Sequence, residues 1–374
     1  MIVGVDARIP IATGRGWGRY TCELVDALAA TGQLELRVLL PTGWLASRLA
    51  ERLRPRPNVQ VAFVQFDVGD PDHYRKAAGD VTLEAVFGTV DLLHSPTRFV
   101  LPTKIRPLVA TVHDVAPLSD PPFKPRYRQA TLRAIDYLRR HRVRLMTVSE
   151  FTREELRTRA GLDVEDVVVV YPGVSDVFLA TPEDRDPPRD AYLLYVGGAG
   201  PNKNLERLMA GVRRLREAHP VDLVIAGDRS WDHDELRRAL GSAPPPWIRL
   251  TGYLTDDELA GIYRKAAACI VPSLHEGFGL PVIEAMACGT PLACSRIPVF
   301  EEVASGAAAY FDPLVVEDIA AVLGSLLEDR RLASELAARG RVRAQQFRWE
   351  QTARKTLDVY RAALQTDAHI RSIE

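Results

Sequence analysis

Two glutamates eight residues apart, Glu276 and Glu284, lie in the run Pro272-Ser273-Leu274-His275-Glu276-Gly277-Phe278-Gly279-Leu280-Pro281-Val282-Ile283-Glu284-Ala285-Met286. The apolar residues before Pro272 predict a strand, Gly277-Phe278-Gly279 a turn, and Pro281 the first turn of a helix that carries Glu284. Ionised carboxylates only accept hydrogen bonds and so suit sugar hydroxyls, while backbone N–H groups of Gly279 and Leu280 at a helix start suit an anion. As general acid and base the same pair would serve glycoside hydrolysis, although such carboxylates do not ordinarily share a turn with anion-binding amides. For either glutamate alone, a solvated acid beside a capped helix is the plainer alternative.

A second group is Tyr195-Val196-Gly197-Gly198-Ala199-Gly200-Pro201-Asn202-Lys203-Asn204-Leu205. Of 48 basic residues only six are lysine, and the chain has three asparagines, so Pro201–Asn204 concentrates rare residues. A helix starting near Asn202 would put Lys203 in its first turn, where a cation opposes the helix dipole unless an anion lies there. A phosphate over Gly197-Gly198 would resolve the conflict; a solvated lysine is the alternative. Near the N-terminus, Thr13-Gly14-Arg15-Gly16-Trp17-Gly18-Arg19-Tyr20 has glycines for close backbone approach, or for turning alone. Its G-x-G-x-G spacing, with a second strand ending Leu39-Leu40-Pro41 and no acid, disfavours a dinucleotide. His113-Asp114 closes a strand, where His113 is either a substrate contact or an ordinary turn histidine. Asp70-Pro71-Asp72 and Asp232-His233-Asp234 have metal-binding spacing, but turn and capping roles are favoured.

These groups need elements to position them. Short Val/Ile/Leu runs alternate with amphipathic stretches, the rhythm of βα units and a parallel sheet. Strands are predicted at Ile2–Ala7, Leu36–Leu40, Val59–Phe66, Asp91–His94, Leu108–His113, Leu145–Ser149 and Val167–Tyr171. They resume at Tyr192–Val196, Asp222–Ala226, Ile248–Thr251, Ala268–Pro272 and Pro291–Ser295. Between the sets, residues 181–190 are polar and proline-rich, which predicts a linker. Two doubly wound α/β domains follow, 1–180 and 191–348, as 374 residues allow. From Val315 the pattern is helical, and the segment from Trp349 should pack back on the first domain. A net charge of −1 argues against nucleic acid as partner. Four scattered cysteines imply neither a disulfide framework nor a zinc site. With no signal-peptide pattern and no apolar run of ~18 residues, the expectation is a soluble, cytoplasmic protein.

Taken together, these turns resemble the retaining family-4 glycosyltransferases, which have the two-domain GT-B fold. The residues that carry the likeness are Glu276 and Glu284 as the E-x7-E signature, Gly197-Gly198 with Asn202-Lys203-Asn204, Thr251-Gly252-Tyr253-Leu254, His113-Asp114, Val148-Ser149-Glu150-Phe151, Tyr171-Pro172-Gly173-Val174 and Gly16-Trp17-Gly18-Arg19-Tyr20. The resemblance implies two Rossmann-like domains facing a central cleft, with the C-terminal helix (349–374) crossing back to the first. The first domain would bind a hydroxyl acceptor, a glycan, polyprenyl-linked oligosaccharide, glycolipid or small molecule. The second would bind a nucleoside diphosphate sugar. Lys203 would contact the diphosphate, Glu276 the sugar hydroxyls and Glu284 the ribose. Gly277, Phe278, Gly279 and Leu280 would line the sugar and phosphates, with His113 near the reacting sugar. Gly16, Gly18, Gly252, Tyr253 and Leu254 complete the expected donor contacts. Where the family usually has an arginine beside the lysine, this chain has Asn202 and Gly198, so Arg15 or Arg19 is left to supply a second charge. Transfer with retention, without metal or cofactor, is implied; no oligomeric state is.

Competing readings are a D-x-D metal-dependent transferase and a non-catalytic nucleotide-sugar binder. A phosphorylase would need a pyridoxal phosphate lysine, for which Lys203, Lys265 and Lys355 lack a setting. The donor base stays open among UDP, GDP, ADP and dTDP. From Lys124 to Arg144 a helix with Arg126, Arg128, Arg133, Arg139 and Arg140 off its apolar face would suit anionic lipid at the inner face of a membrane, or simply solvent.

Overall fold

The computed structural model describes residues 1–13, 16–66, 82–119, 123, 125–180, 192–227 and 245–373. The chain divides into two compact units, Met1–Gly173 with Trp349–Glu374, and Val174–Arg348. In the first, β1 (Ile2–Asp6), β2 (Glu35–Pro41), β3 (Val59–Val64), β4 (Leu92–Ser95), β5 (Leu108–Val112), β6 (Arg144–Thr147) and β7 (Val168–Val169) form a sheet in the order β3-β2-β1-β4-β5-β6-β7. All neighbours are parallel; Val3, for example, stands between Leu36 and Leu92. In the second, β8 (Tyr192–Val196), β9 (Asp222–Ala226), β10 (Ile248–Gly252), β11 (Ala268–Val271), β12 (Leu292–Ser295) and β13 (Ala309–Phe311) follow the order β10-β9-β8-β11-β12-β13. Leu193 lies between Leu223 and Ala268, again in parallel register.

Both sheets reverse winding direction once, between β1 and β4 and between β8 and β11, and ligands bind at such switch points beyond the strands' carboxyl ends. Strands β4, β5, β11 and β12 are buried along their whole length. Cover on both faces is why these segments are continuous apolar runs without alternation. In the second unit the helix Leu205–Leu215 packs Leu208 and Val212 with Ile319 and Leu323 of the helix Val316–Glu328 against β8 and β9.

The C-terminal helix Trp349–Ile373 belongs to the first unit. Its Tyr360 hydroxyl lies 2.7 Å from Nδ1 of the buried His94, whose Nε2 meets Thr111 Oγ1 at 2.9 Å. Trp349 packs edge-on to Tyr20 with centroids 5.7 Å apart, and Thr352 Oγ1 donates to the Tyr171 carbonyl at 2.8 Å. Residues 181–190, the expected linker, lie outside the described residues. The first unit ends at Gly173 instead of residue 180, because the helix Asp176–Leu179 packs with the second: Phe178 sits 6.1 Å from the Tyr263 ring, and Arg264 donates to the Val177 carbonyl. The short edge strand β13 was not foreseen, since Ala309-Tyr310-Phe311 is too brief for a periodic signal.

Candidate functional site

Two segments converge at the switch point of the second unit. After β8, Gly197 takes φ 154°, a value that disfavours any side chain, and donates its N–H to the Ala226 carbonyl at 2.9 Å. Pro201–Lys203 then form one 3-10 turn, Asn204 is left-handed at φ 57°, and the α-helix starts only at Leu205. Lys203 therefore precedes the helix and does not sit in its first turn, a correction to the sequence expectation. Its ammonium pairs with Glu276, and Ser273 Oγ donates to the same carboxylate oxygen at 2.7 Å. The anion that the misplaced lysine demanded is thus present within the protein as Glu276.

Hydrogen bonds fasten the two segments on either side of that pair. Asn202 Nδ2 donates to the His275 carbonyl at 3.1 Å and the Leu274 N–H to the Asn202 carbonyl at 2.7 Å. The buried Asn204 donates Nδ2 to the carbonyls of Pro272, at the end of β11, and Pro313, beyond β13, at 3.1 and 2.7 Å. Asparagine is among the few side-chain residues that tolerate a left-handed backbone, which accounts for its choice here. Sequence reasoning named neither Asn204 nor Ser273 as site residues. For Asn204 the signal lay in the rarity of asparagine and in the Asn202-Lys203-Asn204 group, because bonds spanning 68 and 109 residues leave no local pattern; Ser273, three residues before Glu276, is an ordinary turn residue by type.

The helix Leu280–Ala287 opens at Gly279, with φ 95°; a Cβ there would stand 2.6 Å from the Phe300 ring. First-turn N–H groups have no intrahelical partner, so this start suits an anion. Phe278 is buried and packs edge-on to Phe347 with centroids 5.6 Å apart, so its side chain anchors the turn and only its backbone is placed to line a ligand. Glu284 is 3% exposed and accepts from the Tyr263 hydroxyl at 3.0 Å; it is a buried, oriented acid, not a solvated one. Gly252, at φ 71°, and the exposed Tyr253 with Leu254 leave β10 at the same sheet edge, two strands from β8.

The remaining candidates belong to the first unit. His113 follows β5, is buried, and places Nε2 3.0 Å from the Pro96 carbonyl. A carbonyl only accepts, so Nε2 carries the hydrogen; burial pushes the pKa down to about 4, leaving the ring neutral with Nδ1 as acceptor. Trp17 stacks on this ring at 5.8 Å and Tyr20 meets it edge-on at 4.6 Å. Arg98 lies over both Trp17 and Phe99, at 5.1 and 4.6 Å. Gly16 begins the helix Gly16–Ala30 in open space, whereas Gly18 is buried and its absent Cβ would stand 2.8 Å from the Pro10 carbonyl. Gly18 therefore lets the helix approach the Pro10 carbonyl closely. At the end of β1, Arg8 forms a bidentate pair with Asp6, both bonds 2.9 Å, among the most buried polar groups of the unit and unremarked in the sequence.

Arg15, Asp70-Pro71-Asp72 and Asp232-His233-Asp234 lie outside the described residues. Among the described residues no group of three or more His, Cys, Asp or Glu could hold a metal ion, and no helix is long and apolar enough to cross a membrane.

Two family models match: glycosyltransferase family 4 over residues 14–178, and glycosyl transferases group 1 over residues 181–343. The chain belongs to these glycosyltransferases and is a hexosyltransferase with the GT-B fold. It is 28% identical to the O-antigen chain mannosyltransferase B of Escherichia coli, over 92% of this chain and 96% of that one. It is 32% identical to the MMP alpha-(1->4)-mannosyltransferase of Mycolicibacterium hassiacum, over 59% and 54%. Among solved structures, sucrose-phosphate synthase of Thermosynechococcus elongatus matches with a TM-score of 0.74 and 19% identity over 97% and 98% of the chains. Anabaena HepE, in complex with UDP and glucose, matches at 0.73 and 18%, over 97% and 100%.

Proposed function

We propose that this glycosyltransferase moves a mannosyl group from a nucleoside diphosphate sugar to an acceptor hydroxyl, with retention and without a metal. The observation that carries the reading is Lys203 held against Glu276, at the second switch point, beside the glycine turn and the N-terminus of the helix Leu280–Ala287. The mannosyltransferase relatives supply the sugar. Breaking the bond to the diphosphate puts negative charge on its oxygen. Fixed N–H groups and the Lys203 ammonium are suited to stabilise that charge, and most strongly in the transition state. Glu276 orients the ammonium and accepts from sugar hydroxyls. Glu284, oriented by Tyr263, accepts from the ribose, and neutral His113 offers Nδ1 to a hydroxyl of the reacting sugar. Gly16, Gly252, Tyr253 and Leu254 are assigned to the donor on family grounds alone.

The deciding measurement offers GDP-mannose and UDP-glucose with and without EDTA, and determines the anomeric configuration of the product. An inverted product, or activity abolished by EDTA and restored by a divalent cation, overturns the corresponding part. The acceptor belongs to the first unit on this reading, and the protein works in the cytoplasm against the inner membrane face. The helix Pro125–Arg140 buries Ala130, Ala134, Ile135 and Leu138 and carries arginines on its other sides, two of them paired with Asp136. Co-sedimentation with anionic but not neutral vesicles is the expected result, and equal binding to both removes the membrane assignment.

A further inference from the structure

Tyr195, in the middle of the core of the second unit, has its ring buried among apolar side chains, yet its hydroxyl rises to the glycine turn and donates to the Gly198 carbonyl at 2.6 Å. It fits directly beneath Gly197, where an added Cβ would lie 2.9 Å from the phenol oxygen. The two residues are matched: a side chain at 197 and a hydroxyl at 195 exclude each other. A trans peptide is planar, with its C=O and N–H on opposite sides. Drawing the Gly198 carbonyl inward to the phenol therefore turns the Ala199 N–H outward, beside an exposed Gly198. The Gly197 N–H is already committed to Ala226. Burial, with the Glu276 charge nearby, pushes the Tyr195 pKa well up, so the hydroxyl remains a donor.

We infer that Tyr195 is a positioning residue: its hydroxyl holds the glycine turn so that the Ala199 N–H faces an oxygen of the terminal phosphate of a nucleoside diphosphate. The inference rests on the reading of this turn as a phosphate site. Tyr195→Phe removes the hydroxyl and keeps the ring. Calorimetric titration of the wild type, Tyr195→Phe and Lys203→Ala with UDP, UMP, GDP and GMP separates the possibilities. For Tyr195→Phe, affinity for the bound diphosphate is expected to fall about tenfold, the size of one charge-assisted hydrogen bond, with the monophosphate unchanged within about twofold. A role in packing alone would weaken both together.

Diphosphate and monophosphate falling in parallel, or neither falling while Lys203→Ala loses the diphosphate, overturns the inference and leaves the site reading intact. Diphosphate binding unaffected in Lys203→Ala, or absent in the wild type, overturns the site reading and this inference with it. In the unsubstituted protein, the 15N-labelled Ala199 amide resonance is expected to move with the diphosphate and not with the monophosphate, and equal movement with both contradicts the assignment.

Discussion

At the scale of single residues, the proposed chemistry rests on the pair formed by Lys203 and Glu276. Both side chains are partly exposed, at 26% and 16%, so the pair adds little to folding, about 1 kcal/mol or less. Lys203→Ala should consequently leave the thermal midpoint within a few degrees of wild type while turnover falls about 10²–10³-fold, as for loss of one oxyanion donor. Wild-type turnover in a folded variant would remove Lys203 from the mechanism. Two buried histidines of the first unit, His94 and His113, carry a different expectation. Burial holds His94 at about 3 and His113 at about 4, both below the ordinary 6.5. The unfolded chain therefore binds more protons below pH 6.5, and stability falls as pH drops from 6.5 towards those values. Between pH 7 and 5 wild type should lose about 2 kcal/mol more than His94→Gln, at 1.36 kcal/mol per pH unit, as read by urea unfolding. Equal losses would mean that His94 titrates normally. Lys203 and Glu276 were legible in the sequence because residue type, glycines and spacing coincided. Tyr195 and Ser273 were not, since a tyrosine in an apolar run looks like core and the bond from its hydroxyl to Gly198 shows only in three dimensions.

At the scale of elements, the site depends on how turns are held. Replacing Asn204 by alanine removes two bonds to buried carbonyls and puts a residue less tolerant of the left-handed region at φ 57°. A loss of about 2–4 kcal/mol is expected, with turnover reduced because the segments bearing Lys203 and Glu276 lose a shared tie. Stability unchanged in chemical denaturation would show that the clamp is dispensable. Two glycines with similar sequence signals should diverge. Gly279→Ala meets the Phe300 ring at 2.6 Å from a left-handed backbone, so destabilisation of more than about 2 kcal/mol is expected. Gly16→Ala enters open space at a helix start, so thermal unfolding should show no loss, or a gain of up to about 1 kcal/mol. Strand positions in the second sheet were readable almost to the residue: Tyr192–Val196 and Asp222–Ala226 are parallel strands with the expected bounds, buried at four of five positions each. The start of the helix after β8 was misplaced because Pro201, a good first-turn residue, begins a 3-10 turn that Asn204 terminates.

At the scale of the whole molecule, the alternation of strand and helix made two doubly wound sheets evident. The unit boundary at Gly173 was not evident, because it depends on which core accepts Phe178. Removing residues 349–374 strips the first unit of the Tyr360 contact to His94 and the Trp349 contact to Tyr20. Such a truncation should lower the unfolding midpoint of the first unit and spare that of the second, as hydrogen exchange resolved by residue would report. Loss of protection in both units alike would contradict the division.

The same helix also sets an order of events during synthesis. His94 and Tyr360 are 266 positions apart, so the first unit lacks this packing partner until Tyr360 has been made, whereas the strands β8 to β13 of the second sheet are complete by Phe311. The unit begun first is thus completed after the second, and its His94 side lacks the Tyr360 contact through translation of the entire second unit.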